Sequence, residues 1–344
     1  MLKYIQVEIT RECGENCIMC PHRKWKLSGR MSLEKFLELS KLFPKFDVVY
    51  LQGWGEPLLH PDFKDMLTIA EENAKTGFTT NGRKLKKLAD FVAKHTDYLL
   101  VSFSGISSKA RGVSFDVAIE GVRAVAEEKK KAGKEGKVRV GVSYMLTEES
   151  WKESVEFVEL AAEAGAEYVA FTNLDYVFDE ITDRLRVFGK GEKKIREVEN
   201  VLNKAKTLAR KLGMSVKAYP LNLEEQAVCE ANPHTSAAVS CEGKLYPCIY
   251  LALPFEKIPR LFEGEIIYVK PPEFGEASNR KAWVEFEKFR DVFRKRIVAY
   301  NSTFEKLMCS SPFSAVRMLK ELDDVLSKYP PPEVCTGCYK LYGV

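Results

Sequence analysis

The stretch LKYIQVEITRECGENCIMC (2–20) joins a strand-like alternation directly to three cysteines. Apolar and polar residues alternate over 2–9, a pattern typical of a β-strand. Cys13, Cys17 and Cys20 follow on the loop at the carboxyl end of that strand. Three thiolates so close together can bind one face of a metal centre, whereas tetrahedral zinc and four-iron clusters both require four ligands. The pattern therefore indicates a metal site with one position left for a ligand from elsewhere.

The composition indicates the cellular compartment and which classes of partner to expect. Lys and Arg number 53 and Asp and Glu 49, so a net charge of +4 gives no sign of a nucleic-acid-binding surface. The opening MLKYIQVEIT lacks the apolar segment of a secretory signal, and no run of about 18 apolar residues predicts a membrane helix. Nine cysteines in such a chain favour the reducing cytoplasm, where clustered thiols more often hold metal than form disulfides. We therefore expect a cytoplasmic protein that binds neither nucleic acid nor membrane.

Two hydrophobic periodicities alternate through the first two thirds of the chain. Ser32 and Ser114 are the expected N-caps of two helices. The predicted strands are 2–9, 47–52, 75–80, 97–104, 137–146 and 166–174, and the predicted helices are 32–43, 61–74, 83–95, 114–133, 148–165 and 191–213. Six strand–helix pairs predict an α/β fold with a parallel sheet, either open and doubly wound or curved into a barrel. In both cases the chemistry belongs at the carboxyl ends of the strands.

The pattern changes after about residue 214, where the regular alternation of strands and helices ends. The segments expected there are a short strand at 214–220, a region rich in cysteine, proline and glycine at 229–275, and helices at 281–297 and 313–329. We therefore predict a main domain over 1–220 and a small cysteine-rich α+β extension over 221–344 that packs on it.

A second motif, QGWGEP (52–57), directly follows the second predicted strand. Gly53 and Gly55 allow the backbone to approach a ligand closely, and Glu56 offers a carboxylate to an ammonium group. A purely structural turn, stiffened by its proline, explains the same residues equally well. Spacing alone also leaves alternatives for the three cysteines, which could be free thiols or a zinc site completed by His22.

Together the two motifs make the chain resemble the radical S-adenosylmethionine (SAM) enzymes, whose motifs are CxxxCxxC and GGEP. Trp54 stands at the second glycine of the latter motif. The resemblance covers roughly residues 4–220 and implies a partial (β/α)6 barrel. It also implies that Cys13, Cys17 and Cys20 hold a [4Fe–4S] cluster, whose fourth iron is chelated by the amino and carboxylate groups of SAM.

The family's other cofactor contacts carry over onto residues near the strand ends. The 53–57 turn matches the site of the methionine ammonium group, and Met19 lies where the adenine is usually flanked. Polar side chains after the third and fourth strands match positions that bind ribose or the methionine carboxylate, although Ser104 replaces a frequent Asp. Candidates for the substrate face follow the sixth strand. The positions carried over are Met19, Gly53, Trp54, Gly55, Glu56, Pro57, Thr80, Asn81, Ser102 and Ser104 for the cofactor, and Asn173, Asp175 and Tyr176 for the substrate.

A second set of cysteines lies in the extension. Thirteen residues separate Cys229 from Gly243, four more precede Cys248, and a C-x2-C pair follows at Cys335 and Cys338. This spacing resembles the SPASM and shorter twitch extensions of radical SAM enzymes, which implies one auxiliary [4Fe–4S] cluster on these four cysteines. A zinc ribbon built from the same pairs is the alternative. Each remaining cysteine of the extension is expected to be a buried spare or a replacement for the first ligand, and these are Cys241 and Cys309.

The resemblance implies a reaction as well as a fold. The reduced cluster passes one electron to the sulfonium of SAM, and the resulting 5′-deoxyadenosyl radical abstracts hydrogen from a substrate. An electron donor such as ferredoxin is implied as a partner. We expect a peptide or protein maturase; a small-molecule substrate in cofactor modification, for example of a tungsten-containing oxidoreductase, is an alternative. A non-enzymatic, zinc-stabilised binding protein is the competing interpretation from another class.

Overall fold

A mostly parallel sheet of nine strands is the centre of the computed structural model, which describes residues 2–133, 136–308 and 315–344. Its strands are β1 (Tyr4–Val7), β2 (Val48–Leu51), β3 (Lys75–Thr80), β4 (Tyr98–Phe103), β5 (Arg139–Leu146), β6 (Tyr168–Asn173), β7 (Ser215–Ala218), β8 (Ser236–Val239) and β9 (Leu245–Tyr246). Their order across the sheet is β7, β6, β5, β4, β3, β2, β1, β8, β9. The first seven strands fall within the predicted ranges, and all pair in parallel, which confirms the predicted α/β sheet.

Helices follow each of the first six strands, as predicted. They are α1 (His22–Trp25), α2 (Leu33–Ser40), α3 (Phe63–Glu71), α4 (Ala89–His95), α5 (Phe115–Ala132), α6 (Ser154–Glu163), α7 (Glu180–Leu185) and α8 (Glu192–Lys211), with α9 (Arg280–Met308), α10 (Ala315–Lys328) and α11 (Glu333–Thr336) in the extension. Four differ from expectation: α1 and α11 are helices of four residues in segments where none was predicted, and the other two are α7 and α9. Helix α7 lies in a predicted loop because Asp179 and Thr182 form a capping box there. Helix α9 continues beyond 297 because no glycine or proline interrupts it.

The two faces of the sheet have different side chains because successive residues of a strand point to opposite sides. On β4, for example, Leu99, Val101 and Phe103 are buried in the main hydrophobic core together with residues of the helices. On the other face, the ring of Tyr168 occupies the space beside Gly141, where a Cβ atom would lie 2.0 Å from it. A large aromatic ring thus fills this face near the start of the strands.

The extension contributes strands to the same sheet. Strand β8 pairs in parallel with β1, from Tyr4 opposite Ser236 to Val7 opposite Val239, and β9 pairs antiparallel with β8. A second, two-stranded sheet consists of β10 (Ile258–Phe262) and β11 (Glu265–Val269). The division predicted at residue 220 therefore does not separate two sheets: the region after it completes the edge next to β1. The predicted alternative ligand Cys309 lies outside the described residues.

The two predicted N-caps give a test of the local structure. The Ser32 hydroxyl accepts a hydrogen bond from the Lys35 N–H at 3.2 Å, whereas the Ser114 side chain makes no capping hydrogen bond. We expect Ser32→Ala to lower the free energy of unfolding by about 1 kcal/mol because an N–H of the first turn of α2 loses its partner. Ser114→Ala, measured by the same urea denaturation, is the matched control and should cost less than half as much; equal losses would contradict the assignment.

Candidate active site

A cavity of about 220 Å³ lies at the carboxyl ends of the parallel strands. It brings together residues from both sequence motifs and from the loops after β3, β4 and β6. The predicted residues that line it are Cys13, Cys17, Met19, Cys20, Gly53, Trp54, Gly55, Glu56, Thr80, Asn81, Ser102, Asp175 and Tyr176. Most positions selected from the sequence therefore share one pocket, where the parallel-sheet fold places a binding site.

Three of the predicted residues lie outside this lining. Pro57 is buried at the start of a 3-10 turn, Pro57–Leu59. Ser104 follows the last residue of β4 and is only 2% exposed. Asn173 is buried as well, and its Nδ2 donates to the Pro220 carbonyl at 2.8 Å. These side chains support the loops around the pocket and do not face it.

The cysteine loop is fixed by the loops that follow β3 and β4. The Ile18 N–H donates to the Ala110 carbonyl at 2.8 Å, and the Gly112 N–H donates to Cys17 Sγ at 3.4 Å. Arg83 forms an ion pair with Glu15, between the first two cysteines, and donates from Nη2 to the Gly112 carbonyl at 2.9 Å. The three thiols are therefore carried by a loop with several anchors.

The electrostatics of the thiols indicate that they lie close to one another. Burial raises the pKa of Cys13 to about 11, and the nearby Glu56 carboxylate and Cys17 raise it too. Burial likewise raises the pKa of Cys20 to about 12, and both other thiols add to this rise. The backbone N–H groups of Glu15 and His22 oppose these shifts by hydrogen bonding to the two sulfurs. N–H donors aimed at sulfur stabilise a thiolate, the form in which cysteine binds metal.

A site for a single metal ion requires its ligands to surround one point. In residues 2–133, 136–308 and 315–344, no three His, Cys, Asp or Glu side chains are placed to hold one metal ion. Zinc needs its thiolate ligands at about 2.3 Å from one point. Burial lowers the pKa of His22, the alternative fourth zinc ligand, and the backbone of Trp54 and Arg11 opposes this shift, while its Nε2 has no hydrogen-bond partner among the described residues. The donor set that fits this loop is three neighbouring thiols with sulfur-directed amides, which suits an iron–sulfur cluster with one iron not held by protein.

The glycines of the second motif are required by close contact with the cysteine loop. A Cβ atom on Gly55 would lie 2.4 Å from the Thr10 carbonyl oxygen and 2.7 Å from that of Glu12. A Cβ atom on Gly53 would lie 2.2 Å from Glu8 Cγ. The sequence predicted that these glycines permit approach to a ligand; the structure shows that they permit approach of the β2 loop to the β1 loop.

Glu56 joins three loops around the pocket. Its carboxylate accepts hydrogen bonds from the Thr80 hydroxyl at 2.7 Å, the Asn81 N–H at 2.7 Å and the Leu58 N–H at 3.1 Å. Its own N–H donates to the Glu12 carbonyl at 2.9 Å. Burial raises the pKa of Glu56, and these donors oppose the rise. The carboxylate expected to meet an ammonium group thus already has three donors from the chain itself.

Two charged residues that the sequence analysis did not select lie beneath the motifs. Glu8 and Arg11 are both buried, and Arg11 Nε lies 2.8 Å from Glu8 Oε2. Burial raises the pKa of Glu8 to about 7, although Arg11 and the Trp54 N–H lower it. Arg11 also binds Glu242 of the extension through Nη2 at 2.8 Å. Apolar and polar residues alternate along β1, so Ile5 and Val7 face the core and Glu8 lies on the opposite, pocket side. The sequence therefore did contain a signal that could have identified Glu8.

Arg111 is another unselected residue, and it lines the pocket. Its Nε is buried and faces no hydrogen-bond partner within the described part of the chain. Its charge acts on both Cys20 and Glu56, which places the guanidinium near both motifs. A buried guanidinium edge in a pocket is suited to a carboxylate.

An aromatic wall separates this pocket from the extension. The Trp54 indole N–H donates to the Ile249 carbonyl at 3.0 Å, and its ring centroid lies 5.2 Å from that of Tyr176 and 5.8 Å from that of Tyr250. The Tyr250 hydroxyl donates to Asp175 at 2.8 Å. The tryptophan that departs from the glycine motif therefore contacts the segment next to Cys248.

The four cysteines assigned to the auxiliary site are also neighbours. Burial raises the pKa of Cys229 to about 12, with further contributions from Cys248 and Cys338, while the Asn232 and Ala231 N–H groups oppose the rise. Burial likewise raises the pKa of Cys335, and the same three thiols add to it. Cys241 lies apart: its N–H donates to Glu8 at 3.4 Å, within the ion-pair network.

The match to a known protein family covers the part of the chain that contains both motifs. Residues 7–161, from the end of β1 to α6, match the family model described as the Radical SAM superfamily. Residues 7–161 therefore carry a radical SAM domain. This domain implies a [4Fe–4S] cluster and SAM as cofactors, and the thiols, turn and pocket described above fit this pair.

Relatives of this radical SAM protein are distant. The tungsten-containing aldehyde ferredoxin oxidoreductase cofactor-modifying protein of Pyrococcus furiosus is 25% identical over 260 residues, which are 72% of this chain and 71% of the relative. SuiB of Streptococcus suis, solved with its precursor peptide SuiA, has a TM-score of 0.56 and 18% identity, covering 74% of this chain and 61% of SuiB. Native anSMEcpe with bound AdoMet has a TM-score of 0.57 and 14% identity, covering 94% and 97%. These solved structures confirm the predicted fold class.

The described residues contain no helix that combines the length and apolar character needed to span a membrane. This agrees with the absence of long apolar runs noted in the sequence.

The contact between the two motif loops can be tested with a pair of glycines. We expect Gly55→Ala to destabilise the protein by about 1–3 kcal/mol, because its Cβ would overlap backbone atoms that cannot rotate away. Gly14→Ala, in the cysteine loop itself, is the control, since nothing lies within 4 Å of the added atom. Urea denaturation of the metal-free proteins measures both. A Gly55 variant as stable as the Gly14 variant would show that the loops are not in contact.

Proposed function

We propose that this protein reductively cleaves SAM and abstracts hydrogen from a substrate. The observation that carries the proposal is that one pocket collects the three motif cysteines, the GWGEP turn and the polar residues after β3 and β4. Cys13, Cys17 and Cys20 are the cluster ligands. When bound, the cluster and SAM supply the one-electron chemistry, and the chain's part is to bind, orient and exclude water.

The residues of the pocket divide between the parts of SAM. The backbone of the 53–55 turn, held against the β1 loop, receives the methionine ammonium group. Arg111 is the partner of the methionine carboxylate, because its Nε is buried and without a hydrogen-bond partner among the described residues. Ser102 and Asn81 are placed for the ribose, and the buried Met19 for the adenine. Glu56 positions the β3 loop through its hydrogen bonds to Thr80 and Asn81.

The second part of the proposal is an auxiliary [4Fe–4S] cluster on Cys229, Cys248, Cys335 and Cys338. Its support is the mutual electrostatic influence of these thiols and the N–H groups directed at Cys229. The separate position of Cys241, whose N–H joins the Glu8 network, argues against that residue as a replacement ligand. A domain division near residue 220 is retained as a functional one, with the SAM site before it and the auxiliary ligands after it.

For the substrate we propose a cofactor-modifying role, with peptide modification as the second candidate. The Pyrococcus furiosus relative, named as a cofactor-modifying protein, matches 72% of this chain. The peptide candidate draws on the fold shared with SuiB, which was solved with a precursor peptide. Asp175, Tyr176 and Tyr250 form the side of the pocket nearest the extension, and we assign this side to the substrate. A cytoplasmic electron donor such as ferredoxin completes the proposal.

Anaerobic reconstitution tests the chemistry. We expect about eight irons per chain and 5′-deoxyadenosine formation from SAM with dithionite as reductant. Replacing Cys13, Cys17 and Cys20 by Ala should abolish 5′-deoxyadenosine. Replacing Cys335 and Cys338 by Ala should remove about four irons, since one four-iron cluster is lost, and leave SAM cleavage measurable.

Two further outcomes decide between the alternatives. Cys241→Ala is the matched control for the auxiliary site and should keep the full iron content, because its thiol lies in the Glu8 network. A protein that carries stoichiometric zinc and no iron would overturn the enzyme proposal. Stimulation of 5′-deoxyadenosine formation by a tungsten cofactor precursor but not by peptides would favour the first substrate class, and the reverse result the second.

A further inference from the structure

A buried arginine lies beside the auxiliary cysteines. Arg260, in strand β10, is 4% exposed, and its Nη1 donates to the carbonyl of Val334, the residue before Cys335, at 2.9 Å. Its Nε is buried and has no hydrogen-bond partner among the described residues. The guanidinium therefore has an unused donor at the cysteine site.

The arginine also shares a small cavity with one of the proposed ligands. Arg260 and Cys338 both line this cavity, together with Tyr176 and Tyr250. The other cation of the region, Lys340, is balanced by Asp175 at 2.6 Å. Arg260, in contrast, is a buried cation for which the described residues provide no carboxylate partner.

The arginine is also held in place by its neighbours. The Leu261 N–H donates to the Val177 carbonyl at 2.8 Å, and the Tyr176 hydroxyl donates to the Pro259 carbonyl at 3.1 Å. Both flanking residues of Arg260 are thus bonded to the segment that follows β6, which also forms part of the pocket wall. These bonds fix the backbone on both sides of Arg260, and the hydrogen bond from Nη1 to the Val334 carbonyl holds the guanidinium itself beside Cys335.

A buried charge without a counter-ion is strongly unfavourable, whereas a cluster held by four thiolates is negative overall and would balance it. A nearby cation stabilises the reduced cluster more than the oxidised one, because the reduced form carries one more negative charge, and burial strengthens the effect. We propose that Arg260 is the fixed counter-charge of the auxiliary cluster and raises its reduction potential. This inference rests on the proposed function, since it requires a cluster at these cysteines.

The test compares Arg260→Gln, which removes the charge, with Arg260→Lys, which keeps it. Both are made in the full chain, reconstituted anaerobically and titrated with redox mediators while EPR follows each cluster. We expect Arg260→Gln to shift the reduction equilibrium of the auxiliary cluster at least tenfold toward the oxidised form, about 59 mV for one electron. Arg260→Lys keeps the charge and should therefore show only a small part of this shift. The SAM-site cluster should be unchanged in both variants, which provides an internal control.

Arg296→Gln is the matched control, because Arg296 is equally buried in the extension but its charge is balanced by Glu225. The proposal would be overturned if the reduction equilibrium of the auxiliary cluster in Arg260→Gln differed from that of the wild type by less than threefold. An equal shift in Arg260→Gln and Arg260→Lys would also overturn it. Loss of about four irons in the Gln variant alone would support it, and the same loss in the Lys variant would contradict it. A wild-type protein that binds a single cluster would instead refute the auxiliary cluster itself.

Discussion

The backbone of the 53–56 turn lies directly against the backbone that follows β1, and the whole pocket depends on this contact. It is possible because Gly55 has no Cβ where Thr10, Arg11 and Glu12 pass. The Glu56 N–H then bonds to the Glu12 carbonyl, and the Glu56 carboxylate continues the connection to the β3 loop. One close approach thereby fixes the positions of three neighbouring loops. These loops carry the thiols, the backbone groups and the polar side chains that a bound cofactor would meet together.

The ion pairs of the buried Arg11 extend the same constraint into the extension. Arg11 comes directly before the cysteine loop and binds both Glu8 on β1 and Glu242 after β8. The parallel pairing of β1 with β8 holds the same two regions together through the backbone. The cysteine loop after β1 and the two cysteines that flank β8 and β9, Cys229 and Cys248, are therefore attached to one continuous sheet, although the chain between them is long. Removing Glu8 would leave the charge of Arg11 buried without its buried partner, which is costly, whereas the Glu242 side chain is 46% exposed and its pair with Arg11 contributes less.

The sequence was sufficient for the order of strands β1 to β7 and for selecting residues most of which line one pocket. Alternation and caps are local signals, and the cysteine and glycine motifs are short, so both can be read without knowing what lies nearby in space. The role of the glycines was harder to predict, because packing between distant segments decides whether Gly55 faces a ligand or a neighbouring backbone. Arg111 and Arg260 were missed for the same reason: an arginine looks ordinary in sequence, and what distinguishes these two is a buried Nε with no hydrogen-bond partner among the described residues. The pairing of β8 with β1 likewise joins segments far apart in the chain.

Trp54 connects the departure from the family motif to the architecture of the extension. A glycine at this position would leave the Ile249 carbonyl without the indole N–H and the Tyr250 ring without its edge-on neighbour. Tyr250 in turn bonds to Asp175, whose second carboxylate oxygen pairs with Lys340, two residues after Cys338. The turn at the candidate cofactor pocket is thus linked through side chains to the segments that directly follow Cys248 and Cys338. Aromatic contacts and charge-assisted hydrogen bonds in a buried region support one another. A substitution of Trp54 should therefore alter the structure around the extension cysteines as well as the pocket.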